Sequence, residues 1–311
     1  MTDAQDPSDD DLRLSAGEQG PAPLDWAAGP AKVLPGLHLL STPIGAARDI
    51  TLRALDLLAK ADVLAAEDTR TLRRLMEIHG IRIDGRPMIP YHDHNGAQAR
   101  PRIMGLLAEG KSVAYASEAG TPLVADPGFQ LARAAIAEGY TVLAAPGASA
   151  VLTALAVGGL PTDRFCFLGF PPSQGAARQH WLEEVMAIPA TLVMYESPKR
   201  IHRLLDDLKQ HEGREAALCR ELTKRFEEVI RGTLGSVAAD IAGRDLKGEI
   251  VLLVGRAEAE TGDAVDLDAM LRAALAGESL REAVAAVTEA TGLPRRQVYQ
   301  RALALGKDGN G

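Results

Sequence analysis

The chain has 311 residues and a formal charge of −8, from 34 Lys and Arg against 42 Asp and Glu. Its length predicts about two domains, and 46% apolar residues are enough to build buried cores, which excludes wholesale disorder. No apolar stretch reaches the ~20 residues of a membrane span, the first residues lack the basic and apolar segments of a secretion signal, and Cys166 and Cys219 alone build neither a disulfide framework nor a Cys-type zinc site, so a reduced, cytoplasmic protein is expected.

The charge is unevenly placed. Residues 1–31 hold seven acids and one base and are rich in Pro, Gly, Ala and Ser, the composition of a disordered acidic tail. Residues 32–256 carry a net charge of +1 and residues 257–311 a net charge of −3. A near-neutral middle means that any nucleic-acid partner would be held by local arginine clusters and by shape rather than by a global field.

From Gly36 onward short apolar runs alternate with helical patterns, the signature of α/β architecture. Leu37–Leu40 reads as a strand ending in Ser41-Thr42-Pro43-Ile44-Gly45, after which Asp49 is placed to cap a helix. Val63–Ala66 is a second strand; it ends in Glu67-Asp68-Thr69-Arg70, and Thr69 is placed to cap the helix that stops at Gly80. Ser112–Ala116 is a third strand, opening into Ser117-Glu118-Ala119-Gly120-Thr121-Pro122. There Asp126-Pro127-Gly128 has the order of a cap followed by Pro at a helix start. Thr141–Ala144 is a fourth strand, and Pro146-Gly147-Ala148-Ser149 leads into a helix over 150–157. A second set follows: strands 165–168, 191–195, 216–220 and 249–254, with a helix from Glu196-Ser197-Pro198 to about Leu208. Beyond a polar linker at 258–265, residues 266–305 read as helical with a break at 291–294. The domains expected are thus a tail at 1–31, α/β domains at 32–161 and 162–256, and a linker with helical segment at 257–311.

Open α/β sheets bind ligands at their strand ends. The loops 41–49, 117–128 and 146–150 each combine Gly, small side chains and a following helix start, so backbone groups can approach a ligand closely. None matches a dinucleotide fingerprint or a P-loop, and turn chemistry alone explains one such loop but not three in one half of the chain. Glu67 and Asp68 flank a strand end, although helix capping also accounts for Asp68. His92 and His94 in Tyr91-His92-Asp93-His94-Asn95 lie two apart, but no further ligands at metal spacing accompany them, so polar substrate contact or plain loop polarity is the better reading and no metal is expected. The charged run 221–232 is either a solvated face or a site at the end of strand 216–220. Pro294-Arg295-Arg296-Gln297 opens the last helix with two bases that could touch a phosphate backbone or simply be solvated.

The ordered segments LLSTPIGAARDITLRALDLLAKADVLAAEDTRTLRRLM, YHDHN, SEAGTPLVADPG, PGASAVLTAL, GLPTDRFCFLGF, YESPKR, RELTKRFEEVIRG and KGEIVLLVG closely resemble the small-subunit ribosomal RNA methyltransferase I family of the tetrapyrrole methylase superfamily. The likeness runs from about Gly36 through LREAVAAVTEATGLPRRQVY and leaves 1–31 outside. Ala46-Ala47-Arg48, Glu118 and Ala148 depart from the residues common there, with loop lengths kept.

The resemblance implies two α/β domains with S-adenosylmethionine (SAM) between them, usually in a homodimer. It also implies 2′-O-methylation of the ribose of cytidine 1402 in 16S rRNA of the small (30S) subunit. Carried over by motif, the cofactor contacts are Pro43, Ile44, Gly120, Thr121, Val124, Ser149 and Ala150, with Tyr195 and Leu222 from the later motifs. A ribose hydroxyl is a weak acid, so a base or cation near its oxygen would help. Lys224 with Glu221 is the favoured pair, and Glu67, Asp68 and His92 are the other candidates. Arg70, Arg73, Arg74, Lys199, Arg200, Arg203, Arg225 and Arg231 are candidate phosphate contacts. Two rival readings stay open: a small-molecule, tetrapyrrole-type SAM methyltransferase, and a non-catalytic ribosome-assembly factor.

Overall fold

The computed structural model describes residues 32–173, 175–257, 267–291 and 293–308; the expected acidic tail and the linker 258–265 lie outside them. It divides into two compact units. One runs to Val157 and includes Cys219–Glu228; the other is formed by Gly158–Leu218 and the chain from Val229. No helix among the described residues is long and apolar enough to cross a membrane.

The first unit is built on a five-stranded sheet. Strands β1 (Gly36–Leu40), β2 (Val63–Ala66), β3 (Met88–Pro90), β4 (Ser112–Ala116) and β5 (Val142–Ala145) stand in the order β3-β2-β4-β1-β5, and every paired neighbour is parallel. A parallel sheet covered by helices needs strands apolar on both faces, and β1, β2 and β4 are buried at every position. Their two faces feed separate cores. Leu40, Leu64, Ala114 and Ala116 pack with Leu55 and Leu58 of α1 (Leu52–Lys60) and with Leu72 and Met76 of α2 (Thr69–Ile78). Leu37, Val63, Val113 and Tyr115 pack with Ile103 of α3 (Gly96–Ala108) and Leu131 of α4 (Gly128–Ala137).

Helix starts fall close to the expected places but on different residues. Asp49 lies in a 3-10 turn, Ala47–Asp49, and α1 is capped by Thr51, whose side chain accepts from the Ala54 N–H. Asp68, not Thr69, caps α2, accepting from the N–H groups of Arg70 and Thr71. A carboxylate accepts two orphan donors at once and also favours the positive helix start, so it outcompetes the neighbouring hydroxyl.

The second unit holds a sheet of β6 (Phe165–Gly169), β7 (Thr191–Glu196), β8 (Glu215–Arg220), β9 (Glu228–Thr233) and β10 (Ile250–Val254), in the order β6-β7-β10-β8-β9. Here β6 and β7 are parallel while β7 and β10 are antiparallel. Helices α6 (Ala176–Met186), α7 (Ile201–Asp207) and α8 (Leu234–Ile241) follow strands 6, 7 and 9, while α5 (Ala150–Gly158), after β5, belongs to the first unit up to Val157. Leu182, Leu192, Leu204, Leu218, Val237 and Leu252 are among the second unit's buried core. The C-terminal segment is three helices, α9 (Leu267–Leu275), α10 (Leu280–Thr291) and α11 (Arg295–Asp308). They share a small core of Leu271, Val284, Val287, Val298 and Ala302.

Candidate active site

The carboxyl ends of β1, β4 and β5 bring the three small-residue loops together in the first unit. Beyond β1, Thr42 exchanges both backbone hydrogen bonds with Gly120, each at 3.0 Å, forming an isolated antiparallel bridge between the β1 and β4 loops. The Thr42 hydroxyl donates to the Ser117 carbonyl at 3.3 Å, and the Ser117 hydroxyl donates to the Gly120 carbonyl at 2.7 Å. Thr121 links the third loop: its hydroxyl accepts from Ser41 at 3.3 Å and donates to the Ala148 carbonyl at 3.0 Å. Polar groups thus close these loops on one another without a long side chain.

Two glycines show why the loops must be small. Gly120 sits at φ +79°, where a side chain is strained, and an added Cβ would stand 3.3 Å from Ile44. At Gly147 a Cβ would lie 2.9 Å from the Ser41 Cβ. Leu123 and Ala125 also take positive φ values of 70° and 55°, so the 117–128 loop holds a sparsely populated backbone of the kind that clusters at ligand sites. Pro43, Thr121, Ser149 and Ala150 are half-buried, Ile44 and Gly120 are buried, and Val124 is exposed.

The segment Glu221-Leu222-Thr223-Lys224 belongs to the same unit. The Ala46 N–H donates to the Thr223 hydroxyl at 3.1 Å, and a Cβ on Gly45 would fall 2.5 Å from Lys224 Cγ. Lys224 therefore packs against the glycine that ends the β1 loop. Its Nζ donates to Glu221 Oε1 at 2.9 Å, both side chains being largely sheltered, and Leu222 is buried between them in sequence. Positive φ values at Glu221 (51°) and Thr223 (63°) mark a tight turn that presents the pair.

Beside this loop set lies an acidic group that sequence reasoning did not assemble. Tyr115 donates its hydroxyl to Asp126 Oδ1 at 2.9 Å, and the same oxygen accepts from the Gly128 N–H at 2.7 Å. Burial raises the Asp126 carboxyl, with the nearby Asp93 adding to it, and burial also pushes the Tyr115 hydroxyl up. Glu67 is raised by burial and by Asp126, Glu118 and Asp93, while it accepts from the Glu118 N–H at 3.3 Å. The signal for this grouping was present only as separate strand ends: Glu67 follows β2, Asp93 follows β3, and Glu118 follows β4.

The remaining candidates separate by what they touch. Asp68 is held down at about 2, first by its hydrogen bonds with Arg70, and serves α2 as its cap. The His92 N–H is taken by Asn95 Oδ1 at 2.8 Å, and among the described residues its Nδ1 is buried without a hydrogen-bond partner. The His92 and His94 rings are 6.0 Å apart, and among the described residues no group of three or more His, Cys, Asp or Glu is arranged to hold a metal ion. In the second unit Tyr195 stacks edge-on with Phe167 and Phe170, at centroid distances of 4.8 and 5.5 Å.

The proposed RNA cations differ in the same way. Arg70, Arg73, Arg74 and Arg225 are exposed in the first unit; Arg70 pairs with Asp68, Arg74 with Glu77, and Arg225 covers the Phe226 ring. Lys199, Arg203 and Arg231 are exposed in the second. Arg200 is engaged internally: it pairs with the buried Glu196 at 3.1 Å and donates to the Pro171 carbonyl at 2.6 Å. That anchoring gives Arg200 a bracing task and leaves little of its guanidinium for a phosphate.

The family model for Tetrapyrrole (Corrin/Porphyrin) Methylases matches residues 36–238, and one for an RsmI C-terminal HTH domain matches residues 261–306. A protein of Mesorhizobium japonicum named Ribosomal RNA small subunit methyltransferase I is 45% identical over 286 residues, covering 91% of this chain and 96% of that one. One of the same name from Halalkalibacterium halodurans is 39% identical over 275 residues, covering 85% and 93%. Among solved structures, the methyltransferase CobJ superposes with a TM-score of 0.55 at 20% identity, covering 71% of this chain and 94% of that chain. That last likeness concerns the fold.

Proposed function

The chain belongs to the tetrapyrrole methylase family, in its small-subunit ribosomal RNA methyltransferase I group, and from that premise we propose that it is a SAM-dependent ribosomal RNA methyltransferase acting on the 2′-hydroxyl of cytidine 1402 in 16S rRNA. The observation that carries the reading is the closed loop set of the first unit. Its three strand-end loops are locked together by the Thr42–Gly120 bridge and by Thr121, with Lys224 packed on Gly45 of the first and ion-paired to Glu221. Family membership likewise supports a homodimer working on the 30S subunit or its RNA in the cytoplasm.

The residues present suit the cofactor. A nucleoside and an amino-acid tail need backbone groups that can be approached closely, and the loops offer Gly120, Thr121, Ser149 and Ala150 in place of bulky or charged side chains. Pro43, Ile44 and Val124 would supply apolar contact, with Leu222 from the later turn and Tyr195 assigned by motif. When bound, SAM supplies a methyl carbon already activated by the positive charge on sulfur.

The rest of the chemistry falls to the chain. Placing the ribose oxygen in line is chiefly positioning, and loops cross-linked by hydroxyls and backbone bonds provide a rigid frame for it. The hydroxyl must lose its proton as its oxygen is alkylated. Lys224 steadies the developing negative oxygen, and Glu221, which accepts from its Nζ, holds the ammonium in place and can receive a proton passed through it. Glu67, with its raised carboxyl, is the second candidate for proton removal, whereas Asp68 is occupied as a cap. Exposed Arg70, Arg73, Arg74 and Arg225 are proposed phosphate contacts, with Lys199, Arg203 and Arg231 from the second unit.

The test is to incubate the purified chain with methyl-labelled SAM and small subunits from cells lacking this modification. Label in 16S rRNA is expected. Label only in a porphyrin precursor would select the small-molecule reading, and tight subunit binding without transfer would select the assembly factor.

A further inference from the structure

We propose that the exposed face of α11 is an RNA-docking surface that grips phosphates away from the methylated nucleotide; this rests on the reading that ribosomal RNA is the substrate. The three C-terminal helices bury one stripe of α11, Val298 and Ala302 packing with Leu271, Val284 and Val287. At ~100° per residue, Arg296, Gln300 and Leu303 then lie opposite that stripe, with Arg295 and Tyr299 on one flank. All five are exposed, Tyr299 to 44% and Leu303 to 41%.

The charge on this segment is sorted. Residues 295–305 contain three arginines and no acid. Two carboxylates of the segment have internal tasks. Asp268 accepts from Arg301 Nε at 2.6 Å on the other flank, and Glu282 accepts from the Ser279 hydroxyl at 2.6 Å at the start of α10. Among the described residues Arg295 and Arg296 have no ion-pair partner. Two guanidiniums about 100° apart can reach phosphates on either side of a groove, an aromatic ring can stack on an unpaired base, and Gln300 can bond a 2′-hydroxyl or base edge. The face carries two bases and no carboxylate, so its charge complements a polyanion, and with ribosomal RNA as the proposed substrate RNA is the occupant. Residues 257–311 as a whole carry −3, so the bases of α11 form a local cluster and not part of a basic field.

The experiment uses the full chain and a transcript of 16S rRNA, with binding measured across roughly 50–300 mM salt and methyl transfer measured in parallel. Replacing both bases, R295A/R296A, should weaken RNA binding about tenfold and lower the salt slope by about 1–2. The KM for RNA should rise while kcat and SAM affinity stay as in wild type. Arg295→Lys with Arg296→Lys should keep most of the salt slope, and Tyr299→Ala should weaken binding to unpaired RNA at an unchanged slope. Wild-type slope and KM in R295A/R296A would overturn the proposal, as would polyglutamate competing as well as RNA at equal charge. Failure of the functional reading looks different: RNA binding that depends on α11 with no methyl entering RNA would leave the docking surface standing.

Discussion

Where β1 and β4 of the first unit run out, the chain is closed by backbone pairs and hydroxyls, whereas the strand ends of β6 and β7 in the second unit are closed by buried charge. Arg178, only 2% exposed, bonds Asp207 at 2.6 Å and the Pro172 carbonyl at 2.8 Å, and Arg200 spans Glu196 and the Pro171 carbonyl. Long charged side chains fill the space they brace. Closure by Thr42, Ser117 and Thr121 leaves backbone accessible instead, which is what a small ligand requires. The difference teaches that similar strand-loop-helix sequences leave open backbone in one unit, where the site is proposed, and a strut in the other, decided by which side chains hold the loop.

The comparison can be broken most sharply at Lys224. Lys224→Ala should lower single-turnover methyl transfer by about 100- to 10,000-fold while SAM affinity, measured by calorimetry, changes little. Unchanged transfer would remove Lys224 from the chemistry. In the second unit the expected effect is on stability: Arg178→Ala empties a buried site and takes the partner from the partly sheltered Asp207, while Glu196 keeps Arg200, and it should cost about 2–4 kcal/mol in denaturant unfolding. Where the variant remains folded, its SAM affinity should match wild type.

A smaller effect is expected at Gly120. Gly120→Ala forces a side chain into the left-handed region against Ile44 and should weaken SAM binding by about tenfold, from strain of ~1–2 kcal/mol. The smallest concerns Glu67. Its carboxyl is raised in the folded state, so the native form favours the proton. Stability from this group is complete below the unfolded carboxylate range and is lost as pH rises through the folded value. Glu67→Gln should therefore raise the melting midpoint at pH 7 by on the order of 1 °C, because the half-exposed group is screened, and the gain should vanish near pH 4.

Much of this was legible in the sequence, for identifiable reasons. Strands β1, β2 and β4 are buried on both faces and so appear as unbroken apolar runs. Of the four edge strands, β5 and β6 were read from their apolar runs, but β3 and β9 were not legible in the same way. β3 is three residues ending in Pro90, and β9, Glu228–Thr233, is half-exposed and charged, so both read as loop. The break between α9 and α10 was signalled by Gly277 and by Ser279 with Glu282, which cap α10, but it is only four residues long and both flanks keep the helical pattern. At the site, the small-residue loops could be recognised singly, but their cross-links could not: Ser41 to Thr121 spans 80 residues and Ala46 to Thr223 spans 177. The pairing of Tyr115 with Asp126 depends on the strained 117–128 loop closing, which composition does not reveal.

The central claim is that the closed loop set of the first unit directs a methyl group to one ribose oxygen. Methylation there removes the hydroxyl that alkali needs to cleave the adjacent phosphodiester. Alkaline hydrolysis of 16S rRNA, after incubation of unmodified small subunits with SAM and this protein, should therefore give a ladder with a single new gap after cytidine 1402, and the gap should be absent with the Lys224→Ala chain. An unbroken ladder together with label on a base, or a gap at another nucleotide, would contradict the account.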